Sequence, residues 1–421
     1  SDAKAVIALD MLLPLIEKVA GAFPSVLTYV ICETTPDAGE KIASLPEGIR
    51  KKVKPFTQLI KSSSPDVLPV DISPNNNTII FYTSVTTCRP KGAILTHENL
   101  FSNARDTADY LGFSDTDKVL ATLPVFHVFA LTVVVNAPLL KGATILLVPR
   151  FSPQDVFDIA KNQQATVFAG VPTMYNFLYQ SPQANVADFS TIRLAISGGS
   201  SLPVALLHNF ENKFKVRVSE GYGLSEASPV TLFNPLDRER KAGSIGTSIL
   251  NVENRIVNEL GEDVQVGEVG ELIVRGPNVM KGYYKMPEET AATIRNGWLY
   301  TGDLARIDVD GYFYIENKKK DLVIVGGYNV YPREIEEVLF AHPDIVEAAV
   351  IGMPDANFGE AIHAYVVVKD GSIDAETLSA YCAEHLAKYK VPRNFEFLTE
   401  LPKNTTGKIL RRSLKDSALT K

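Results

Sequence analysis

From about residue 78 to 225 short apolar runs alternate with amphipathic ones, and this alternation narrows the possible folds more than any other feature of the chain. "TIIFY", "ATILLV", "ATVFAG", "RLAISGG" and "VRVSEGYG" read as strands, and "SPQDVFDIAKNQ", "VPTMYNFLYQ" and "LPVALLHNFENKF" as the helices between them. That order predicts an α/β protein whose mixed, largely parallel sheet is covered by helices. Several of these strands run straight into small or hydroxyl residues, "TSVTT", "GVPT", "SGGSS" and "EGYGLSE". Ligands of such sheets sit outside the carboxyl ends of the strands, so these loops are expected to share one crevice.

The pattern changes at 238–316, where "GEVGELIVRG" and "RIDVDGYFYIE" are short alternating runs and Asp310-Gly311 suits a hairpin turn, which predicts a β-rich subdomain. A basic run, Lys318-Lys319-Lys320, then leads into "DLVIVGGYNVYPREIEEVL", two apolar strands ("VEAAVIGM", "AIHAYVVVK") and a helix from about Ala375 to Lys388. The expected organisation is a large domain of several subdomains over 1–319 and a small α+β domain over 320–421. No internal repeat interrupts it.

A chain of 421 residues, 45% hydrophobic and 22% charged, can bury a sizeable core. Its longest apolar tract, Leu131 to Val148, is broken by Asn136, Pro138 and Lys141, which argues against a transmembrane segment, and no secretory signal opens the sequence. A net charge of −7 gives no general attraction to nucleic acid. Cys32, Cys88 and Cys382 are far apart and lack metal-ligand spacing, which points to a reducing, cytoplasmic setting without structural zinc. Cys382 shares a helical apolar stripe with Leu378, Tyr381 and Leu386, a core-packing pattern.

The stretch "FYTSVTTCRPKGA" carries chemistry. Thr83, Ser84, Thr86 and Thr87 put four hydroxyls within five positions, and Lys91 adds a positive charge. Hydroxyls, a cation and the backbone N–H groups of a strand-to-helix turn suit a polyphosphate, although an ordinary Ser/Thr-rich turn has the same spelling. It is not a P-loop, since Lys91 is followed by Gly92 and the flanking glycine pattern is absent.

Five stretches in order, "YTSVTTCRPKG", "EGYGLSE", "WLYTGD", "KKKDLVIVGGYNVYPREIE" and "LPKNTTGKILRR", resemble the adenylate-forming (acyl-activating) enzymes, and within them the acyl-CoA synthetases, especially fatty acid–CoA ligases. The resemblance runs from Asp2 to Arg412. It implies that a carboxylic acid, a medium- or long-chain fatty acid, is activated by ATP to acyl-AMP and then passed to CoA. By the same resemblance Thr83 and Glu226 would hold Mg²⁺, a cation that prefers oxygen donors, and Ser84, Thr86, Thr87 and Lys91 would meet the phosphates. Gly198, Gly199, Glu220, Gly221, Tyr222, Gly223 and Ser225 would line the adenine pocket, with Gly221 and Gly223 allowing close backbone approach. Asp303 and Lys318 would reach the ribose. Lys408 would neutralise carboxylate and α-phosphate as they meet, and His127 would stand near the acyl carboxylate. The adjoining run Phe129 to Val135, with Val171, Met174 and Tyr175, is apolar enough in itself to wall an acyl pocket, although such stripes are more often plain core. The small domain would turn about Lys320, exchanging Lys408 for Gly326 and Gly327, which would leave room for the CoA thiol.

Each of these residues also has a plainer reading. Glu226 suits a helix start, Gly198-Gly199 a turn, Asp303 a surface turn, His127 an apolar strand in the core, Lys408 a solvated basic tail and Lys320 a rigid linker. Three departures from the family pattern carry expectations of their own. Val85 and Cys88 stand where the family has glycine, which predicts weaker grip on ATP or pyrophosphate. Lys318 replaces an arginine and gives up its planar fork. The opening "SDAKAVIALD" aligns inside the family's large domain, so that domain is expected to be shortened at its N-terminus. These departures keep open a non-catalytic adenylate- or acyl-binding relative, and a carrier-protein acceptor in place of CoA is the other alternative. The oligomeric state is not legible.

Overall fold

The computed structural model describes residues 2–66, 69–83, 90–369, 373–405 and 407–419. The chain forms two compact units, Ser1–Ile72 and Ser73–Lys421. In the first, strands Ala5–Leu9, Thr28–Cys32 and Val53–Pro55 form a parallel sheet with Thr28–Cys32 in the middle. Leu13, Ile16, Tyr29, Ile31 and Leu45 make its core. Asp10, fully buried, accepts hydrogen bonds from the backbone and hydroxyls of Thr34 and Thr35, which hold its carboxyl well below the usual range.

The second unit is built on a seven-stranded sheet in the order Thr247–Ser248, Val230–Phe233, Val218–Gly223, Leu194–Ser197, Val167–Gly170, Lys118–Ala121 and Thr144–Leu147. The last five are mutually parallel, and Val230–Phe233 runs antiparallel to the neighbour on each of its sides, so the sheet is mixed and largely parallel, as the alternation predicts. "VFAG" and "LAIS" are buried throughout because helices cover both faces. Helix Pro153–Gln163 shows how local chemistry sets the boundaries. Ser152 caps its start by accepting from the Asp155 N–H, proline occupies the first turn, and Gln164 ends it in the left-handed region. One face of the sheet packs on an aromatic cluster that includes Phe157, Phe168, Tyr175, Phe189, Phe210 and Phe214.

"TIIFY" departs from its expected place. Strand Asn77–Thr83 lies outside the parallel sheet and pairs antiparallel with Lys91–Thr96, itself paired with Gly282–Tyr283. The β-rich region consists of Glu253–Val257, Gly270–Arg275, Ile294–Arg295, Trp298–Ile307 and Phe313–Lys318. Its final hairpin pairs Ile307 with Phe313, and Asp310-Gly311 lies in the turn, Gly311 with φ +82°. A last sheet joins Tyr328–Val330, Val323–Val325, Gly359–Val368, Ile345–Asp355 and Asn394–Phe397. Helices Pro332–Ala341 and Ala375–His385 pack on it, and Cys382 is fully buried in its core.

No helix among the described residues is long and apolar enough to cross a membrane.

Candidate functional site

A cavity of about 1010 Å³ lies at the carboxyl ends of the parallel strands, in the position such sheets reserve for ligands. Thr83, Lys91, His127, Gly198, Gly199, Ser225, Glu226, Asp303, Lys318, Lys320 and Lys408 all line it, together with Glu220, Gly221, Tyr222 and Gly223. Ser84, Val85, Thr86, Thr87 and Cys88 fall outside the described residues. Gly326 and Gly327 are not at the cavity. They form the two-residue turn between Val323–Val325 and Tyr328–Val330, with φ +58° and +86°, a conformation that glycine adopts without strain.

The β hairpin supplies one wall. Asp303, 5% exposed, faces Lys318 across the strand pair. Its carboxylate accepts from Lys318 Nζ at 2.6 Å and from Tyr222 Oη at 2.6 Å. Burial and the neighbouring Asp303 carboxylate push the Tyr222 hydroxyl far above its ordinary pKa, so it remains a donor.

Glycines 221 and 223 have a different cause from the one their sequence context implies. A Cβ on Gly221 would lie 2.4 Å from the Phe233 ring, and one on Gly223 would lie 2.3 Å from the Pro229 carbonyl oxygen. The strand Val230–Phe233 and the turn before it already occupy that space. Glu220 also turns inward: 2% exposed, it accepts from the Leu202 N–H at 3.0 Å, while its second oxygen has no hydrogen-bond partner among the described residues. Burial raises its pKa to about 7, with Arg333 pulling the other way.

At the opposite wall Lys91 pairs with Glu289 and lies over the Tyr283 ring, and Tyr283 Oη donates to Glu226 at 2.9 Å. Thr83 Oγ1 donates to the Lys91 carbonyl at 3.4 Å. Sequence reasoning missed Tyr283 and Glu289, which lie about 60 residues from Glu226 and carry no motif. His127 is not on a strand. It ends a turn after Pro124, ahead of the π-helix Ala130–Asn136, and its Nδ1 accepts from the Phe129 N–H at 3.3 Å, which leaves the neutral ring's proton on Nε2. Burial lowers its pKa, and the Lys408 charge lowers it further. Of the expected acyl wall, Phe129 and Val171 reach the cavity; Met174 and Tyr175 pack into the core instead.

Lys408 stands on a short loop closed by the pairing of Lys403 with Ile409, and its N–H donates to Asn404 Oδ1 at 2.9 Å. The preceding Gly407, with φ +80°, offers its carbonyl to Thr173 Oγ1 at 3.0 Å, a bond that seats the loop against helix Pro172–Gln180. Lys408 is open to water inside the cavity, yet protein surrounds it on most sides. That enclosure lowers its pKa to about 8, with help from the charges of Lys318, Arg411 and Lys320 and against that of Asp303. An ammonium poised near neutrality in a cleft is a functional-site signature.

Layered α/β architecture, a cleft at the strand ends and a lysine brought in from the C-terminal segment define the adenylate-forming fold. The chain belongs to the AMP-binding enzyme family, whose profile matches residues 1–284, with the AMP-binding enzyme C-terminal domain matching 334–408. It is similar to a long-chain-fatty-acid--CoA ligase of Bacillus subtilis (strain 168), 43% identical over 85% of this chain and 65% of that protein. It is also similar to a feruloyl-CoA synthase of an Amycolatopsis species, 39% identical over 90% of this chain and 77% of the relative. Among solved structures, ATP-bound MatB from Rhodopseudomonas palustris superposes with a TM-score of 0.87 at 32% identity, covering 99% of this chain and 89% of that one. The chain thus spans about two thirds of the length of the fatty-acid ligase it resembles.

Proposed function

We propose that this chain activates a fatty acid with ATP and transfers the acyl group to CoA. The observation that carries the reading is Lys408, held in the same cleft as the Asp303–Lys318–Tyr222 cluster. In the first half-reaction a carboxylate oxygen attacks the α-phosphorus, the bond to the β-phosphate oxygen breaks and pyrophosphate leaves. Two anions must meet, and the Lys408 ammonium offsets their repulsion as charge gathers between them. Asp303 holds the ribose hydroxyls with two acceptor oxygens, Lys318 and Tyr222 keep its carboxylate oriented, and the Tyr222 ring lies against adenine. His127, neutral near pH 7, stands by the acyl carboxylate and donates from Nε2. In the second half-reaction the CoA sulfur attacks the acyl carbonyl, the bond to AMP breaks, and the thiol proton passes to solvent.

Thr83 and Glu226 supply two hard oxygen donors on one cavity, and among the described residues no cluster of three or more His, Cys, Asp or Glu side chains could hold a metal. A site with few protein donors fits Mg²⁺, which keeps substrate phosphates and waters as its other ligands. When bound, it would neutralise phosphate charge.

The second step needs the region beyond Lys320 to turn, withdrawing Lys408 and bringing the Gly326-Gly327 hairpin to the cleft for the thiol. The boundary we assign, 1–319 against 320–421, places that hinge at an exposed residue. Free Cys32 and buried free Cys382 are in keeping with a reducing cytoplasm. The test is carboxylate-dependent ATP–pyrophosphate exchange over acids from acetate to long-chain and aromatic, followed by CoA consumption with the best acid. Exchange greatest with medium- or long-chain fatty acids is expected. No exchange with any acid, or a preference for aromatic acids, would contradict the reading.

A further inference from the structure

The helix Pro332–Ala341 carries four charged side chains that divide into two sets. Glu334 takes Lys390 Nζ at 2.7 Å on both oxygens, and Glu336 takes Arg411 Nη2 at 2.6 and 2.7 Å. Both partners lie beyond Lys320 and would travel with the helix. Arg333 and Glu337, one turn apart, reach the other way. Arg333 Nη2 donates to the Gly243 carbonyl at 3.1 Å and Nη1 to the Ile315 carbonyl, while Glu337 Oε2 accepts from the Val204 N–H at 3.1 Å. The two side chains also approach each other, Arg333 Nε to Glu337 Oε1, at 3.7 Å.

The Val204 bond answers a local need. Helix Val204–Phe214 follows Pro203, whose side chain offers no capping acceptor, so its first N–H groups begin unpaired. Glu337 supplies the missing acceptor from another element, and its negative charge meets the positive end of the helix dipole. The Arg333 charge also acts on the buried Glu220 carboxyl, lowering its pKa against the larger effect of burial. Neutral bonds also join the two sides of Lys320, among them Thr173 to the Gly407 carbonyl and Asn176 to the Val346 carbonyl. Charge-assisted bonds are roughly twice as strong as neutral ones.

We propose that Arg333 and Glu337 are positioning residues that latch the arrangement placing Lys408 in the cleft, and so favour the adenylating half-reaction over the thioester-forming one. The inference rests on the proposed function and adds to it the side chains that bias the two arrangements. A latch with contacts in only one arrangement shifts the population by its differential interaction alone. Removing it therefore slows only the step that needs the latched arrangement.

The test measures both half-reactions in Glu337→Ala: acid-dependent ATP–pyrophosphate exchange, and acyl transfer to CoA from supplied acyl-AMP. Exchange is expected to fall about tenfold while acyl transfer stays within about twofold of the parent. Glu337→Gln, which keeps an acceptor for the Val204 N–H but loses the charge, should fall between them. Unchanged exchange, or equal loss in both half-reactions, overturns the latch. Should Glu337→Ala fail to fold, Arg333→Met, which keeps an apolar stem, carries the same two expectations. Lys408→Ala run alongside separates the failures. Retained exchange there defeats the adenylation reading, whereas lost exchange there with intact exchange in Glu337→Ala defeats the latch alone.

Discussion

The cleft's two functional groups are mounted differently. Asp303 and Lys318 face each other on paired strands, and Tyr222 reaches Asp303 from a strand of the seven-stranded sheet, so each is fixed by a backbone ladder. Lys408 stands on a loop that the Thr173 hydroxyl ties to the first turn of helix Pro172–Gln180. The contrast teaches a rule for two-step chemistry on one scaffold. On the proposed function, the groups assigned to grip the adenylate through both steps are built into sheets, and the group assigned to one step stands on a loop held by few bonds.

Substitutions can break or sharpen that contrast. Asp303→Ala removes the acceptor of both Lys318 and Tyr222, and should lower kcat/KM for ATP about a hundredfold and slow acyl transfer from supplied acyl-AMP too. A loss confined to exchange would show that Asp303 does not serve both steps. On the loop side, Lys408 carries its proton below about pH 8 in the free protein. The kcat/KM for ATP in the exchange assay should therefore decline about tenfold per pH unit above that value. The residual activity of Lys408→Arg should lack this limb, because a guanidinium stays charged; a limb that persists belongs to another group.

A smaller effect is expected from Lys318→Arg. Two parallel bonds to Asp303 and the ribose would replace a point charge, and the KM for ATP should fall about threefold, with a flat or opposite response rejecting the role. Glu220→Gln should act on stability and not on the contrast. Because the folded-state pKa of Glu220 is raised to about 7, its contribution is fully present below about pH 4.5 and is lost as pH rises through 7. Glutamine at this position should thus melt higher than the parent above pH 7, by up to about 3 kcal/mol in stability, with the difference fading toward pH 4.5. Equal melting at pH 8 would show that the buried carboxylate is better solvated than its surroundings imply.

The sequence exposes the parallel strands because "VFAG" and "LAIS", buried on both faces, read as apolar runs, and the helices between them because caps and periodicity agree. Asn77–Thr83 is harder, since an apolar run does not announce its pairing partner, and here the partner is the next strand. The apolar run "LPVFHVFAL" suggests a strand at His127, yet length alone does not separate a strand from the π-helix that follows. Gly221 and Gly223 look like ligand-facing glycines, but the atoms that demand them belong to Phe233 and Pro229, contacts visible only once the strands are paired. Tyr283, Arg333 and Glu337 contact groups far away in sequence, so no spacing reveals them.

The most direct test of the central claim is the ratio of the two half-reactions in Lys408→Ala, with pyrophosphate exchange and discharge of supplied acyl-AMP to CoA measured on one preparation. The account predicts that exchange is nearly abolished while discharge proceeds at the parental rate. Exchange at the parental rate, or a matching loss in both, would contradict it.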